Sequence, residues 1–149
     1  MEESGITCAA IISFAQKIER ETAKFYEHLA ERYTESKADF LSFSKKSKKN
    51  EVLITRTYQE TISDALEACF IEGLNLNNMV VVRTLPKDVD FAQALRMAIH
   101  LEDEATKFHS EIAERTKSLL ATIPMVFKKV AKNRRNRKLK LESILRNLN

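Results

Sequence analysis

Glycine, proline, cysteine and tryptophan are all scarce in this 149-residue chain, with two Gly, two Pro, two Cys and no Trp. Two glycines cannot build a phosphate-cradling loop, which excludes the Gly-rich nucleotide-binding turns. So few turn formers, set among abundant Ala, Leu, Glu, Lys and Arg, argue for an all-helical chain. No apolar run approaches the roughly 20 residues that span a bilayer, so no transmembrane segment is expected. The opening MEESGITCAAIISFA carries two glutamates and no positive region, and no signal peptide is expected. Cys8 and Cys69 in such a chain read as reduced thiols of a cytoplasmic protein that fill helix positions. No Ser or Cys stands with a His in a nucleophilic pattern. The length suits one domain, residues 1–149, burying about two-thirds of the surface its unfolded chain exposes.

Charge is present in both signs but unevenly. The net is +4, yet residues 127–149 hold nine Lys/Arg against one Glu, a local +8 that leaves −4 on the other 126. The high isoelectric point therefore belongs to the last helix.

The strongest positive signal is a repeat. Residues 18–32 read IERETAKFYEHLAER and residues 101–115 read LEDEATKFHSEIAER, identical at seven of fifteen positions. Two similar helical hairpins folded into one four-helix bundle explain such a repeat. Glu19 and Glu102 occupy the same place in each copy, on the inward stripe, where an acidic group needs a partner.

Thr7 caps a first helix to about Tyr33 with Ile11, Phe14, Ile18, Phe25 and Leu29 inward, beside a stripe of Ala15, Glu19, Thr22, Tyr26 and Ala30. Ser36 caps a second, whose inward stripe reads Phe40, Phe43, Ser44, Ser47, Asn50, Ile54, Tyr58 and Ile62. A break is expected near Ser63, with a fresh cap at Asp64 and a helix end at Gly73. Residues 73–89 form the only long connection and divide the repeat, about 8–72 and 90–148. A crossover of that length predicts a second and third helix that run parallel. Asp90, with Gln93 three later, caps the third helix to about Leu119; Thr122 and Pro124 open the fourth. Its stripe is Phe127, Val130, Ala131, Arg134, Arg137 or Lys138, Leu141, Leu145 and Leu148. The phenylalanines sit at core spacing and read as packing.

The phrase Glu-x-x-(Ala/Thr)-x-x-Phe-(Tyr/His)-x-x-(Leu/Ile)-Ala resembles the rubrerythrin branch of the ferritin-like superfamily. Glu19, Thr22, Phe25, Tyr26, Leu29 and Ala30 carry it once, and Glu102, Ala105, Phe108, His109, Ile112 and Ala113 carry it again. Phe40-x-x-Phe43-Ser44 and Phe127-x-x-Val130-Ala131 are similar to the openings of that family's second and fourth helices. The resemblance implies an all-α ferritin-like bundle of two hairpins joined by a long crossover, and favours a homodimer. It also implies a diiron centre, built from one Glu on each of the first and third helices and a Glu-x-x-His on each of the others. Iron pairs need several carboxylates, and i, i+3 spacing puts Glu and His on one helix face. Counted from the opening Phe, those places hold Ser47 and Asn50, and Arg134 and Arg137. No Glu-x-x-His occurs in the chain, and two distant Cys cannot build the family's iron–sulfur module. The resemblance thus implies a degenerate diiron site and no resident cofactor.

Two readings follow for the arginines. Either they turn inward and replace the metal, pairing with Glu19 and Glu102 beside Ser47 and Asn50, or they lie at the rim as a solvated basic face. His109 stands on the face of Glu102, so Glu19, Glu102 and His109 could hold a residual iron or other divalent metal; the plainer reading is a hydrogen-bonded histidine in a polar layer. His28 and His100 read as surface or rim residues. Three functions result: a non-catalytic binding or structural bundle protein, an oxidoreductase or iron-handling protein with a noncanonical metal site, or a nucleic-acid-binding protein. The last would use KKVAKNRRNRKLK on the fourth helix and KKSKK on the second. Met79–Val82 are a candidate subunit interface.

Overall fold

The computed structural model describes residues 5–60, 69–118 and 122–148. Four long helices dominate: α1 (Cys8–Arg32), α2 (Lys37–Glu60), α4 (Phe91–Thr116) and α5 (Thr122–Arg146), with a short α3 (Leu76–Met79) in the crossover. The third and fourth helices expected from sequence are α4 and α5. A single 3-10 turn, Thr34–Ser36, joins α1 to α2.

Local chemistry sets the helix ends. The Thr7 hydroxyl accepts from the Ala10 N–H at 3.1 Å and starts α1. Asp90 and Gln93 form a reciprocal capping box at the start of α4, with bonds of 2.8 and 3.1 Å. Pro124 falls in the first turn of α5, where its missing N–H costs nothing. α1 with α2, and α4 with α5, make the most extensive pairings.

The crossover runs the full bundle length. At its start Arg115, near the end of α4, donates to the Glu72 carbonyl. Midway the Val81 N–H donates to Glu104 at 3.2 Å. At its finish Arg32 and the Tyr33 hydroxyl donate to the carbonyls of Pro86 and Val89. The chain thus returns along α4 to the end of the bundle where α1 stops and α2 starts, so α2 and α4 run parallel. The fold is all-α in its framework, two helical hairpins joined by a long crossover.

Several expectations need correction. The residues before Gly73 are not helical where they are described: β2 (Phe70–Glu72) pairs antiparallel with β1 (Gly5–Thr7), in register Gly5–Glu72, Ile6–Ile71 and Thr7–Phe70. Gly73, at φ +79°, therefore turns the chain out of a strand, not off a helix. A Cβ on Gly5 would meet the tip of the Phe70 ring, an exposed side chain that would have to swing aside. The cysteines are not reduced helix fillers. The Cys8 N–H donates to the Cys69 carbonyl at 2.9 Å, extending the strand pair, and the two sulfurs are joined as a disulfide with Cα atoms 5.3 Å apart. On α2 the inward place assigned to Tyr58 belongs to Thr57, and Leu148 lies beyond the end of α5 and is exposed. The expected break at Ser63, the Asp64 cap, Ile62 and the Leu119 boundary lie outside the described residues.

The core is continuous from Ile11 and Ile12 through Phe108 and Phe127 to Tyr26 and Phe40, all buried. No helix among the described residues is long and apolar enough to cross a membrane.

Candidate functional site

A polar layer interrupts that core at mid-bundle. Glu19 and Thr22 on α1, Ser47 and Asn50 on α2, Glu102 and His109 on α4, and Arg134 and Arg137 on α5 all face inward. Glu19, Glu102, His109 and Arg134 are 0 % exposed, and Arg137 is 3 % exposed. The helical period explains this. Ser47 and Asn50 are three apart on α2, Arg134 and Arg137 three apart on α5, so each pair shares a face. Of the two readings of the arginines, the interior one describes the geometry.

Arg134 stands between the carboxylates. Its Nη1 donates to Glu19 Oε1 at 3.3 Å and to the Ser47 hydroxyl at 3.0 Å. Its Nη2 donates to Thr22 Oγ1 at 3.1 Å. Its Nε lies 3.0 Å from Glu102 Oε1, but the N–H is not aimed along that line, so the contact is coulombic without a formed hydrogen bond. Arg137 donates through Nη1 to the Ser47 hydroxyl at 2.8 Å and to Glu102 Oε2 at 3.3 Å, and through Nη2 to Asn133 Oδ1 at 3.0 Å. Its guanidinium also sits over the rings of Tyr26 and Phe43, at 5.5 and 5.6 Å. Asn50 Nδ2 donates to Glu19 Oε1 at 3.2 Å and to Asn133 Oδ1 at 3.0 Å. The Tyr26 hydroxyl donates to Glu102 Oε2 at 2.6 Å, the shortest bond of the layer.

Electrostatics follow from the burial. Burial alone pushes the Glu19 carboxyl up, but Arg134, the His109 hydrogen bond and Arg137 more than offset it, and the group falls from 4.5 to about 2. Burial and the Glu102 charge push Tyr26 well above its ordinary value, so it stays a protonated donor. Burial pulls His109 below 6.5 despite Glu19 at its side. The imidazole is then neutral at pH 7. Glu19 Oε2 lies 3.2 Å from His109 Nε2, and a carboxylate can only accept, so Nε2 carries the proton. Nδ1 has no partner among the described residues. Burial works against the charge on Arg134, but Glu102 and Glu19 raise its pKa above the usual value. Two guanidiniums, two carboxylates and a neutral imidazole leave the layer balanced.

A diiron pair does not fit these residues. Both carboxylates are already engaged by guanidinium groups, and the two inward positions of α5 carry arginines, which do not coordinate a metal cation. Glu19, Glu102 and His109 also do not converge. Glu19 meets His109, while Glu102 is turned to Tyr26 and the arginines. Among the described residues no group of three or more His, Cys, Asp or Glu is arranged to hold a metal ion.

The remaining histidines lie where the sequence put them: His28 is exposed, and His100 pairs on the surface with Glu104 at 3.2 Å. The sequence reading missed Thr22 and Tyr26 as members of the site, though it placed both on the inward stripe. It missed Asn133 entirely. The available signal was its place four residues before Arg137, a spacing at which helical side chains meet.

The chain matches no protein-family model, and none of the curated proteins matches it. Among solved structures it is similar to a protein of Thermotoga maritima assigned as a ferritin-like diiron-carboxylate protein. The two share 18 % sequence identity with a TM-score of 0.83, over 99 % of this chain and 100 % of that one. At that identity the likeness speaks to fold, and the fold is ferritin-like.

Proposed function

We propose that this chain is a rubrerythrin-type ferritin-like protein in which arginine has replaced iron, and that it serves as a non-catalytic binding or structural protein. The observation that supports this reading is the position of Arg134. Its guanidinium lies within 3.3 Å of one repeat glutamate and 3.0 Å of the other, fully buried. The two positive charges of Arg134 and Arg137 neutralise carboxylates that would otherwise require metal. The Ser47 and Thr22 hydroxyls accept from the guanidiniums and the Asn50 amide donates to Glu19, so short polar groups complete the pairing where the family's second helix would carry metal ligands. A homodimer, favoured by the rubrerythrin resemblance, belongs to the same proposal and is checked by sedimentation.

Elemental analysis of protein from iron-supplemented medium, purified without chelators, tests the reading. Metal far below one atom per chain in a fully folded protein is the expected result. Near-stoichiometric iron, manganese or zinc that disappears in Glu19→Ala and Glu102→Ala would overturn it and restore an oxidoreductase or iron-handling role.

A further inference from the structure

We propose that the seam between α2 and α5 is a nucleic-acid surface that grips the phosphodiester backbone without reading bases. Two clefts follow this seam. One, of about 470 Å³, is lined by Lys45, Lys48, Lys49 and Lys129 with Val52 and Leu53. The other, of about 260 Å³, takes Lys46 and Lys140 at its sides with Asn133, Asn136 and Arg137. The two basic runs of the sequence, far apart in the chain, are thus neighbours in the fold.

Few carboxylates answer them. Glu27 holds Lys48 at 2.8 Å and Asp39 approaches Lys140 at 3.7 Å. Lys45, Lys46, Lys49 and Lys129 have no ion-pair partner among the described residues. All four are exposed. Residues 39–53 of α2 rise about 21 Å, the axial length of about six base pairs. Setting aside Arg134 and Arg137, which are buried against Glu19 and Glu102, residues 127–149 still carry seven Lys/Arg against one Glu, an excess of positive charge on α5 open to a polyanion.

The occupant follows from what the seam contains. No exposed aromatic side chain lines either cleft, which removes base stacking and leaves phosphate contacts. The exposed apolar residues Leu41, Val52, Met125 and Leu139 are few and share their helix faces with lysines and arginines, unlike the continuous apolar face that a bilayer surface takes up. The proposal rests on the lysine geometry alone and stands whether or not metal binds in the bundle.

The test is fluorescence anisotropy of the full chain with a short labelled duplex and a labelled single strand, between about 50 and 200 mM salt. Four free lysines predict a log–log salt slope on duplex of about −4 or steeper. The triple variant K45E/K49E/K129E should bind at least about tenfold more weakly, with the slope shallower by about 3. K45A/K49A/K129A should show the same direction, which guards against a misfolded charge-reversal variant. K17E/K24E/K87E makes an equal charge change on exposed lysines away from the seam and should bind as the parent does. Absence of binding at about 50 mM salt overturns the proposal. So does an equal loss in the control triple. Seam-dependent binding to phosphatidylserine vesicles in place of nucleic acid overturns it too, and assigns the surface to a membrane.

Discussion

At the scale of single residues, the buried layer is built so that no member can be removed alone. Glu102 answers Arg134, Arg137 and Tyr26 at once. Glu102→Ala leaves Arg137 with no carboxylate and Arg134 with Glu19 alone, and should destabilise the fold by about 3–5 kcal/mol in urea unfolding. A variant that unfolds like the parent would mean the network carries no energy. Protonation gives a second prediction. Glu19 is depressed from 4.5 to about 2 in the folded chain, so its stabilisation is present above pH 4.5 and is lost as pH falls toward 2. His109 is depressed below 6.5 by burial, so below that pH the unfolded chain takes up a proton that the folded chain refuses. Glu19, Glu102 and Arg134 face it, with Phe108 and Phe127 against its ring. Both groups therefore lower stability on the acid side, His109 first. Melting temperatures of His109→Gln should be flatter than those of the parent as pH falls through the histidine's ordinary value of 6.5. Much of this layer was legible. Helical spacing put Ser47, Asn50, Arg134 and Arg137 or Lys138 on the inward stripes, because a period of 3.6 fixes which residues share a face, while it left open whether the arginines turn to the glutamates or to the rim. The spacing of Asn133 and Arg137 on one helix was a legible signal, but what Thr22 and Asn133 meet across the bundle was not, because short side chains reveal nothing of it.

At the scale of elements, the sequence spoke clearly about helices and not about strands. The repeat, the Thr7 cap and the Asp90–Gln93 box each leave a local pattern many residues long. β1 and β2 are three residues each, too short for a period-2 signal, and their pairing joins residues about sixty apart. The disulfide was invisible for the same reason, since Cys8 and Cys69 meet only once the chain end and the crossover are side by side. The cytoplasmic reading drawn from reduced thiols loses that support. The clasp closes a loop with a sequence separation of 61, which in the chain-entropy account stabilises the fold by about 4 kcal/mol. Cys8→Ser with Cys69→Ser should lower the urea midpoint accordingly, and reductant should do the same to the parent but not to the variant. Equal midpoints with and without reductant would show that the strand pair, not the disulfide, anchors this end of the bundle.

At the scale of the whole molecule, the arginine layer raises the question of what a charged core contributes to a bundle that packs well elsewhere. Above and below it the core is apolar and aromatic, from Phe108 and Phe127 on one side to Tyr26, Phe40 and Phe43 on the other. Hydrophobic burial there does not depend on the ions. The ions, by contrast, are held at 3.0–3.3 Å, longer than the best charge-assisted bonds, so their mutual attraction barely offsets the loss of hydration. Removing the whole layer together should then cost far less than removing any one part. The variant Glu19→Leu, Glu102→Leu, Arg134→Met and Arg137→Met keeps roughly the same volume and leaves no buried charge unanswered. Each single change strands a buried charge and is strongly destabilising; the quadruple strands none and leaves only the neutral Tyr26 hydroxyl and His109 N–H without acceptors, so it should be less destabilised than any single change. Urea unfolding of the four singles and the quadruple gives the comparison, and heteronuclear NMR spectra show whether the quadruple keeps one ordered state. A quadruple variant as unstable as its worst single member would mean that the ions contribute net stability. A stable but poorly ordered one would give the layer a different role: fixing the register of the two hairpins, which an apolar seam of leucines and methionines leaves free to slide.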